Sequence, residues 1–184
     1  MAVTIVLGVL ATLLIAAAAT GVAVWQLRVV CHPGELWVFM GARKRPVYLF
    51  RAGEARLRVP FIETAECMPT TPIPFEAMVH GASTRGNVPV TLRLVGKVRV
   101  STVSESQIQN AVQRFLGQQP AEIATVASQT LEGVVREIAA SHTAEDFLDG
   151  PRMSKLILRN AQDDMSKLGL APTDLSIERA DRNG

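Results

Sequence analysis

Histidine and cysteine are the residue types that most often carry catalysis or bind metals, and this chain has three histidines and two cysteines. No two of the histidines, His32, His80 and His142, have the spacing of metal ligands. Cys31 and His32 are adjacent, but we expect no carboxylate beside them, which leaves a weak pairing of nucleophile and base. We therefore predict no catalytic residue, no metal site and no bound cofactor.

The small polar residues 81–87 have the composition of a phosphate-binding loop. They lead into a predicted strand, however, and not into a helix whose free N–H groups would hold a phosphate. We interpret this segment as a connection between strands. Two carboxylate pairs, Asp163 with Asp164 and Glu145 with Asp146, fall on amphipathic helices, where a solvated face is the ordinary interpretation. The chain has no pattern typical of an enzyme.

The two cysteines, Cys31 and Cys67, are too few for a disulfide framework or a zinc site, which favours a reducing compartment. Cys31 lies a few residues beyond the predicted membrane boundary described below. A cysteine in that position is a candidate for acylation by a fatty acid. The alternative is a buried thiol without a function of its own.

Residues 1–27 contain no charged residue and no histidine, and residues 3–25 are almost entirely apolar. A bilayer core of about 30 Å needs roughly 20 apolar helical residues, so this segment is long enough to cross with some tilt. We predict a transmembrane helix. Three alternatives compete with it: a cleaved signal peptide, a lipoprotein lipidated at Cys31, and a re-entrant hairpin that bends at Gly8 or Gly21.

Basic residues follow the apolar segment, at Arg28, Arg43, Lys44 and Arg45, and predict that this side of the membrane is the cytoplasm. Residues 28–99 hold 11 Lys and Arg against 5 Asp and Glu, whereas residues 100–184 hold 8 against 12. The basic first half suits contact with anionic lipid headgroups through these four residues. The alternative for residues 43–45 is a solvated turn. Nucleic acid is a poor partner, because the basic residues are few and no aromatic residues alternate with them.

Two periodicities divide the rest of the chain. Residues 33–101 have the pattern of strands, predicted at 35–40, 46–50, 56–59 and 88–100, the last with one apolar and one basic face. From residue 104 the period changes to that of helices, with capping residues at Ser104 and Thr143 and stops at Gly117 and Gly169. A last strand is predicted at 170–177. The fold class is therefore α+β, with an anchor at 1–27, a β-rich subdomain at 28–103, an α/β subdomain at 104–180 and a tail at 181–184.

Short motifs in a fixed order give the chain a resemblance to a known family. They are Cys-His-Pro-Gly-Glu at 31–35, Val-Pro-Phe-Ile-Glu at 59–63, Gly-Asn-Val-Pro-Val at 86–90, Phe-Leu-Gly at 115–117 with Pro-Ala-Glu-Ile at 120–123, Thr-Leu-Glu-Gly at 130–133 with Arg136, and Leu-Gly-Leu at 168–170. In this series the chain resembles the stomatin–prohibitin–flotillin–HflK/C (SPFH, or Band 7) superfamily, and within it the flotillins.

The resemblance implies a non-enzymatic scaffold anchored in the cell membrane, which assembles into homo- or hetero-oligomers with SPFH proteins and organises membrane microdomains. It also implies the alternative of a regulatory adaptor or accessory subunit that binds a membrane protease, an NfeD-like protein or a longer flotillin. Flotillins continue into a long coiled coil, and this sequence stops at Gly184. We therefore expect that this sequence does not form a cage by itself, and that it is a short family member, an accessory subunit of a larger flotillin assembly or a weakly oligomeric protein.

Overall fold

A computed structural model describes residues 2–41, 46–49, 51–59 and 61–182 of the chain. It divides into two compact units, residues 1–67 and residues 68–184. The sequence analysis placed a subdomain boundary between residues 103 and 104, where the periodicity changes. In the structure that change lies inside the second unit, because the strand just before it, residues 89–100, pairs with the strand at the end of the chain.

The first unit begins with a long helix and continues with short strands. The helix, α1, is Ala2–Gln26, and the strands are β1 (Arg28–Val30), β2 (Glu35–Met40), β3 (Val47–Leu49), β4 (Ala55–Leu57) and β5 (Thr64–Pro69). β1 pairs antiparallel with β4, and a second sheet has the order β3-β2-β5. β2 supplies the main buried side chains, Leu36, Val38 and Phe39.

The described side chains of α1 are exposed, including Leu13, Leu14 and Ile15. Its stretch Leu7–Gln26 is long and apolar enough to cross a membrane. Two threonine hydroxyls donate within the helix, Thr12 to the carbonyl of Val9 at 2.9 Å and Thr20 to the carbonyl of Ala16. Because these donors are satisfied internally, they add little cost to placing the helix in hydrocarbon.

The second unit is an antiparallel sheet with helices packed against it. The strands, in the order β6-β7-β8, are β6 (Ile73–Ser83), β7 (Pro89–Val100) and β8 (Leu170–Arg182). Between β7 and β8 lie α2 (Glu105–Phe115), α3 (Pro120–Ser141), a 3₁₀ turn (Asp146–Leu148) and α4 (Gly150–Lys167). α3 packs mainly on β6, and α4 packs mainly on β8. This arrangement of sheet and helices confirms the α+β class.

The alternation predicted for β7 is confirmed, since its even-numbered residues Val90, Leu92, Leu94 and Val98 are buried. Gly96 interrupts the series where the backbone of β8 comes close. A Cβ atom built on Gly96 would lie 2.6 Å from the carbonyl oxygen of Asp174. A close approach of a neighbouring backbone is one of the common reasons for a glycine within a strand.

Three strand predictions need correction. Residues 81–83 are not part of a connection, because β6 runs to Ser83 through a register shift between Val79 and Ala82. β8 continues to Arg182, so it extends five residues past the predicted end and includes the first two residues of the expected tail. The sequence analysis did not resolve β1, β5 and β6 as separate strands. Of the other predicted strands, 35–40 agrees fully and 56–59 is shifted by one or two residues.

Candidate membrane-contact site

The end of α1 is joined directly to the first folded unit. α1 ends at Gln26, and β1 begins two residues later. In the β1–β4 pair Arg28 lies opposite Leu57, and the N–H of Arg58 donates to the carbonyl of Leu27 at 2.9 Å. The segment that follows β4 is therefore hydrogen-bonded to the base of α1.

Four basic residues were predicted to contact lipid headgroups. Arg28 is exposed immediately after α1, in a suitable place for that role. Arg43, Lys44 and Arg45 lie outside the described residues. Arg58, which the sequence analysis did not select, is also exposed and belongs to the segment bonded to Leu27. Headgroup contact by these side chains stays a prediction.

The segment after β4 presents apolar side chains to solvent. We call Leu57, Val59, Phe61 and Ile62 the apolar loop; all four are exposed, and Phe61 is completely so. Phe61 also has a φ of 68°, a left-handed conformation that costs a residue with a Cβ about 1–2 kcal/mol. An exposed aromatic side chain on a strained backbone needs other contacts that hold it there.

Glu63 supplies those contacts from beneath the loop. It is only 5% exposed, and its carboxylate accepts from the guanidinium of Arg56 at 2.5 Å and from the N–H of Val59 at 3.2 Å. Its own N–H donates to the carbonyl of Val59 at 3.0 Å, and Nε of Arg58 donates to its carbonyl at 3.3 Å. The guanidinium of Arg56 also lies 5.0 Å from the ring centre of Phe39. The hydrogen bonds between Val59 and Glu63 therefore close a turn, which is fixed at a buried ion pair.

The model of the SPFH domain / Band 7 family matches residues 29–183, nearly everything after α1. This chain belongs to the SPFH/Band 7 family. Human Flotillin-1 is 26% identical to it over 149 residues, and the Carassius auratus Flotillin-1 is 23% identical over the same length. Each match covers 80% of this chain and 35% of the relative. The family is one of membrane-associated scaffold proteins, generally without enzymatic activity.

In this SPFH chain the acylation candidate Cys31 is 1% exposed. Its thiol lies 3.4 Å from the carbonyl oxygen of Glu35, and burial followed by the charges of Glu35 and Glu54 raises its pKa. Attachment of an acyl chain would therefore require local opening of this unit. Cys67 is exposed and, like Cys31, is a free thiol.

One histidine of the SPFH chain, His32, lies beside an acidic side chain. The expectation that no carboxylate lies beside His32 was wrong, because Nδ1 of His32 is 3.5 Å from the carboxylate of Glu35. That carboxylate also accepts from the indole N–H of Trp37 at 2.9 Å, and the partners of the Cys31 thiol are backbone carbonyls. Within the described part of the chain, no three His, Cys, Asp or Glu side chains are grouped to hold a metal.

The apolar loop of this SPFH domain is the feature that sequence reasoning missed. Residues 56–59 were interpreted as a half-buried strand, and the segment 59–63 was used only for the family resemblance. A signal was present, because four consecutive apolar residues at 59–62 stand between two short strands. An apolar run of that length in an exposed connection is unusual unless it has a function.

Proposed function

We propose that this chain is a membrane-anchored, non-enzymatic scaffold that self-associates and organises membrane microdomains and the proteins in them. The observation that carries the proposal is α1, an uncharged helix of 25 residues joined without a linker to an SPFH domain. A short, hydrogen-bonded junction holds the folded units at the bilayer. Arg28 and Arg58 beside that junction support a cytoplasmic position for the domain and a single pass through the cell membrane.

The charges on α4 support self-association. Its N-terminal half carries Arg152, Lys155 and Arg159, all exposed, and its C-terminal half carries Asp163 and Asp164, of which Asp164 is paired with Lys167 at 2.7 Å. The helix dipole favours the opposite distribution, with acids near the N-terminus and bases near the C-terminus. Among the described residues the three basic side chains form no ion pair, so their charges are available to a partner.

The surface around α4 has two grooves, one beside the N-terminal half of the helix and one beside its C-terminal half. A groove of about 630 Å³ is lined by the three basic residues and Leu156 on α4, and by the carboxylates of Glu145, Asp146 and Asp149 before it. A second groove of about 500 Å³, which shares Leu156, is lined by Asp163, Asp164 and Glu137 of α3. A second copy that places its α4 antiparallel to this one sets each basic half against an acidic half. A two-fold axis repeats the contact, which makes the interface self-complementary.

Crosslinking in intact membranes, followed by sizing of the products, tests the scaffold proposal. We expect crosslinked species larger than the monomer, formed by this chain alone or with other SPFH subunits. A strict monomer that is indifferent to other SPFH subunits would contradict it. Isolation of a complex with a membrane protease or an NfeD-like protein, without self-association, would instead favour the regulatory adaptor.

A further inference from the structure

Leu148 is an exposed apolar side chain on a turn that is held in one place. It is 74% exposed, whereas its neighbour Phe147 is buried in the core. The N–H of Leu148 donates to the carbonyl of Glu145 at 3.1 Å and closes the 3₁₀ turn. The carboxylate of Asp146 accepts from the N–H and the hydroxyl of Thr143, both at 2.9 Å, and fixes the start of that turn. Leu148 is therefore presented to solvent from an anchored position.

The turn lies at the N-terminal end of the charged surface of α4. Asp146 and Asp149, on either side of Leu148 in the sequence, line the groove that also holds the basic residues of α4. Exposed charges give two copies their orientation and register but add little affinity. A stable contact between copies along α4 also needs buried apolar area. Leu148 is an exposed apolar side chain in a suitable place to supply it.

A site that fits this side chain lies beside the other half of α4. It is the groove of about 500 Å³ that α3 and α4 line together, which we call the α3–α4 groove. Its apolar lining consists of Val134 and Ile138, which are buried, and the half-buried Leu156. Lys167 lines it at the C-terminal end of α4. The groove has ample room for one leucine side chain.

The charges of α4 bring Leu148 of one copy to the α3–α4 groove of the other. Both helices of an antiparallel pair rise about 1.5 Å per residue, so equal steps in opposite directions along the two chains stay level. Leu148 precedes Arg152 by four residues, and Lys167 follows Asp163 by four. When Arg152 of one copy faces Asp163 of the second, Leu148 therefore faces Lys167 and the groove beside it. A two-fold axis repeats the contact at the other end of the pair.

We propose that Leu148 is the apolar anchor between two copies of this chain, and that it enters the α3–α4 groove of the second copy. This inference rests on the self-association in the proposed function and deepens it. The charges of α4 set the direction and register of the pair, and two symmetric leucine contacts hold it together.

The contact is tested on full chains in membranes, each with one introduced cysteine in a Cys67→Ser background. One tagged chain carries Leu148→Cys, and a differently tagged chain carries Lys167→Cys. The control chain carries Met78→Cys, an exposed position of β6 that lines neither groove. A short bifunctional maleimide joins cysteines that lie close together, and the background chain without an introduced cysteine corrects for any reaction at the buried Cys31.

We expect Leu148→Cys to crosslink to Lys167→Cys at least about tenfold more than to Met78→Cys, because pairing raises the effective concentration of the first two thiols. Equal yields would reflect chance collisions and overturn the proposal. If a lysine-reactive crosslinker shows self-association of the original chain while residues 148 and 167 do not join, the anchor fails and the proposed function stands. A chain that is monomeric in the same membranes contradicts both.

A second measurement replaces Leu148 and keeps every charge of α4. Leu148→Ser should lower self-association in membranes at least about tenfold, since the two-fold axis removes two apolar contacts, and Leu148→Met should change it less than about threefold. Val103→Ser is the matched control, because Val103 is 81% exposed in the same unit and lines neither groove. Undiminished association of Leu148→Ser, or an equal loss in Val103→Ser, would overturn the proposal.

Discussion

Glu63 is a buried carboxylate, and its partners are Arg56 of β4 and Val59 of the turn that it closes. Replacement by alanine removes the ion pair with Arg56 and the acceptor for the N–H of Val59. Loss of a buried charged partner costs about 2–3 kcal/mol. We therefore expect Glu63→Ala to make amide hydrogen exchange at residues 55–63 faster by more than about tenfold.

Glu66 provides the matched control, because it is a half-buried carboxylate of β5 that forms no hydrogen bond within the described residues. Glu66→Ala should leave exchange at 55–63 within about twofold of the original rate, as expected for a site without a buried contact. If Glu63→Ala and Glu66→Ala exchange alike, the ion pair does not hold the turn.

The two thiols differ in access although the pKa of each is raised. Burial, followed by the charge of Glu35, also raises the pKa of Cys67, so its thiolate is scarce at neutral pH and its labelling should become faster as the pH is raised. In bilayers we expect a maleimide to modify Cys67 and to reach Cys31 only after denaturation. A Cys67→Ser chain then shows no modification while folded. Rapid labelling of Cys31 in the folded chain, or an acyl group found on it, would contradict this.

At the scale of elements, the sequence predicted helices and strands well where the pattern that specifies them lies within one segment of the chain. Period and caps fix α2 and α3 locally, and Ser104 does accept the N–H of Gln107 at 3.3 Å. β5 carries no clear alternation and depends on pairing with β2, which is distant in sequence. In β6 the alternation is present, but the register shift after Val79 and the glycine at 81 disguise its end.

Gly169 joins α4 to β8 and shows where an element boundary depends on distant backbone. Its φ is 80°, and an added Cβ would meet the carbonyl oxygen of Gln107 and lie 2.5 Å from the nitrogen of Ala111 in α2. We expect Gly169→Ala to destabilise the second unit by at least about 2 kcal/mol, since both strain and overlap oppose the methyl group. Thermal unfolding of the full chain in detergent measures the change.

Gly133→Ala is the control for Gly169→Ala. Gly133 lies within α3, and no atom lies within 4 Å of its added Cβ. Alanine there should be neutral or stabilise by up to about 1 kcal/mol through its helix propensity. Equal losses of thermal stability in the two variants would show that the close contact of Gly169 with α2 does not exclude a larger side chain there.

At the scale of the whole chain, charge and hydropathy predicted the anchor and the basic first half, but not the surfaces beside them. The apolar loop is exposed because Glu63 is buried beneath the turn. The spacing of apolar residues in the sequence does not predict that burial. The two carboxylates Asp163 and Asp164 were interpreted as a solvated face. Only the fold places them beside Glu137 of α3.

A charge exchange on this surface tests whether two copies meet along antiparallel α4 helices. The acidic variant combines Arg152→Glu with Lys155→Glu, and the basic variant combines Glu137→Lys with Asp163→Lys. The two-fold axis repeats each reversed contact, so four like-charge contacts of a few tenths to about 1 kcal/mol oppose pairing of either variant with itself. We expect self-association in membranes to fall at least about tenfold for each variant alone.

Mixing the two variants should restore the lost association, because every contact of the mixed pair again joins opposite charges. Differently tagged chains, crosslinked in one membrane, distinguish mixed pairs from pairs of like chains. The recovered pairing should also weaken as added salt screens these exposed charges. If each variant associates with itself as the original chain does, or if the mixture fails to recover, α4 does not form the contact between copies. Substitutions that merely damaged the fold would leave the mixture as weak as its parts, so recovery on mixing separates a specific interface from a general loss of structure.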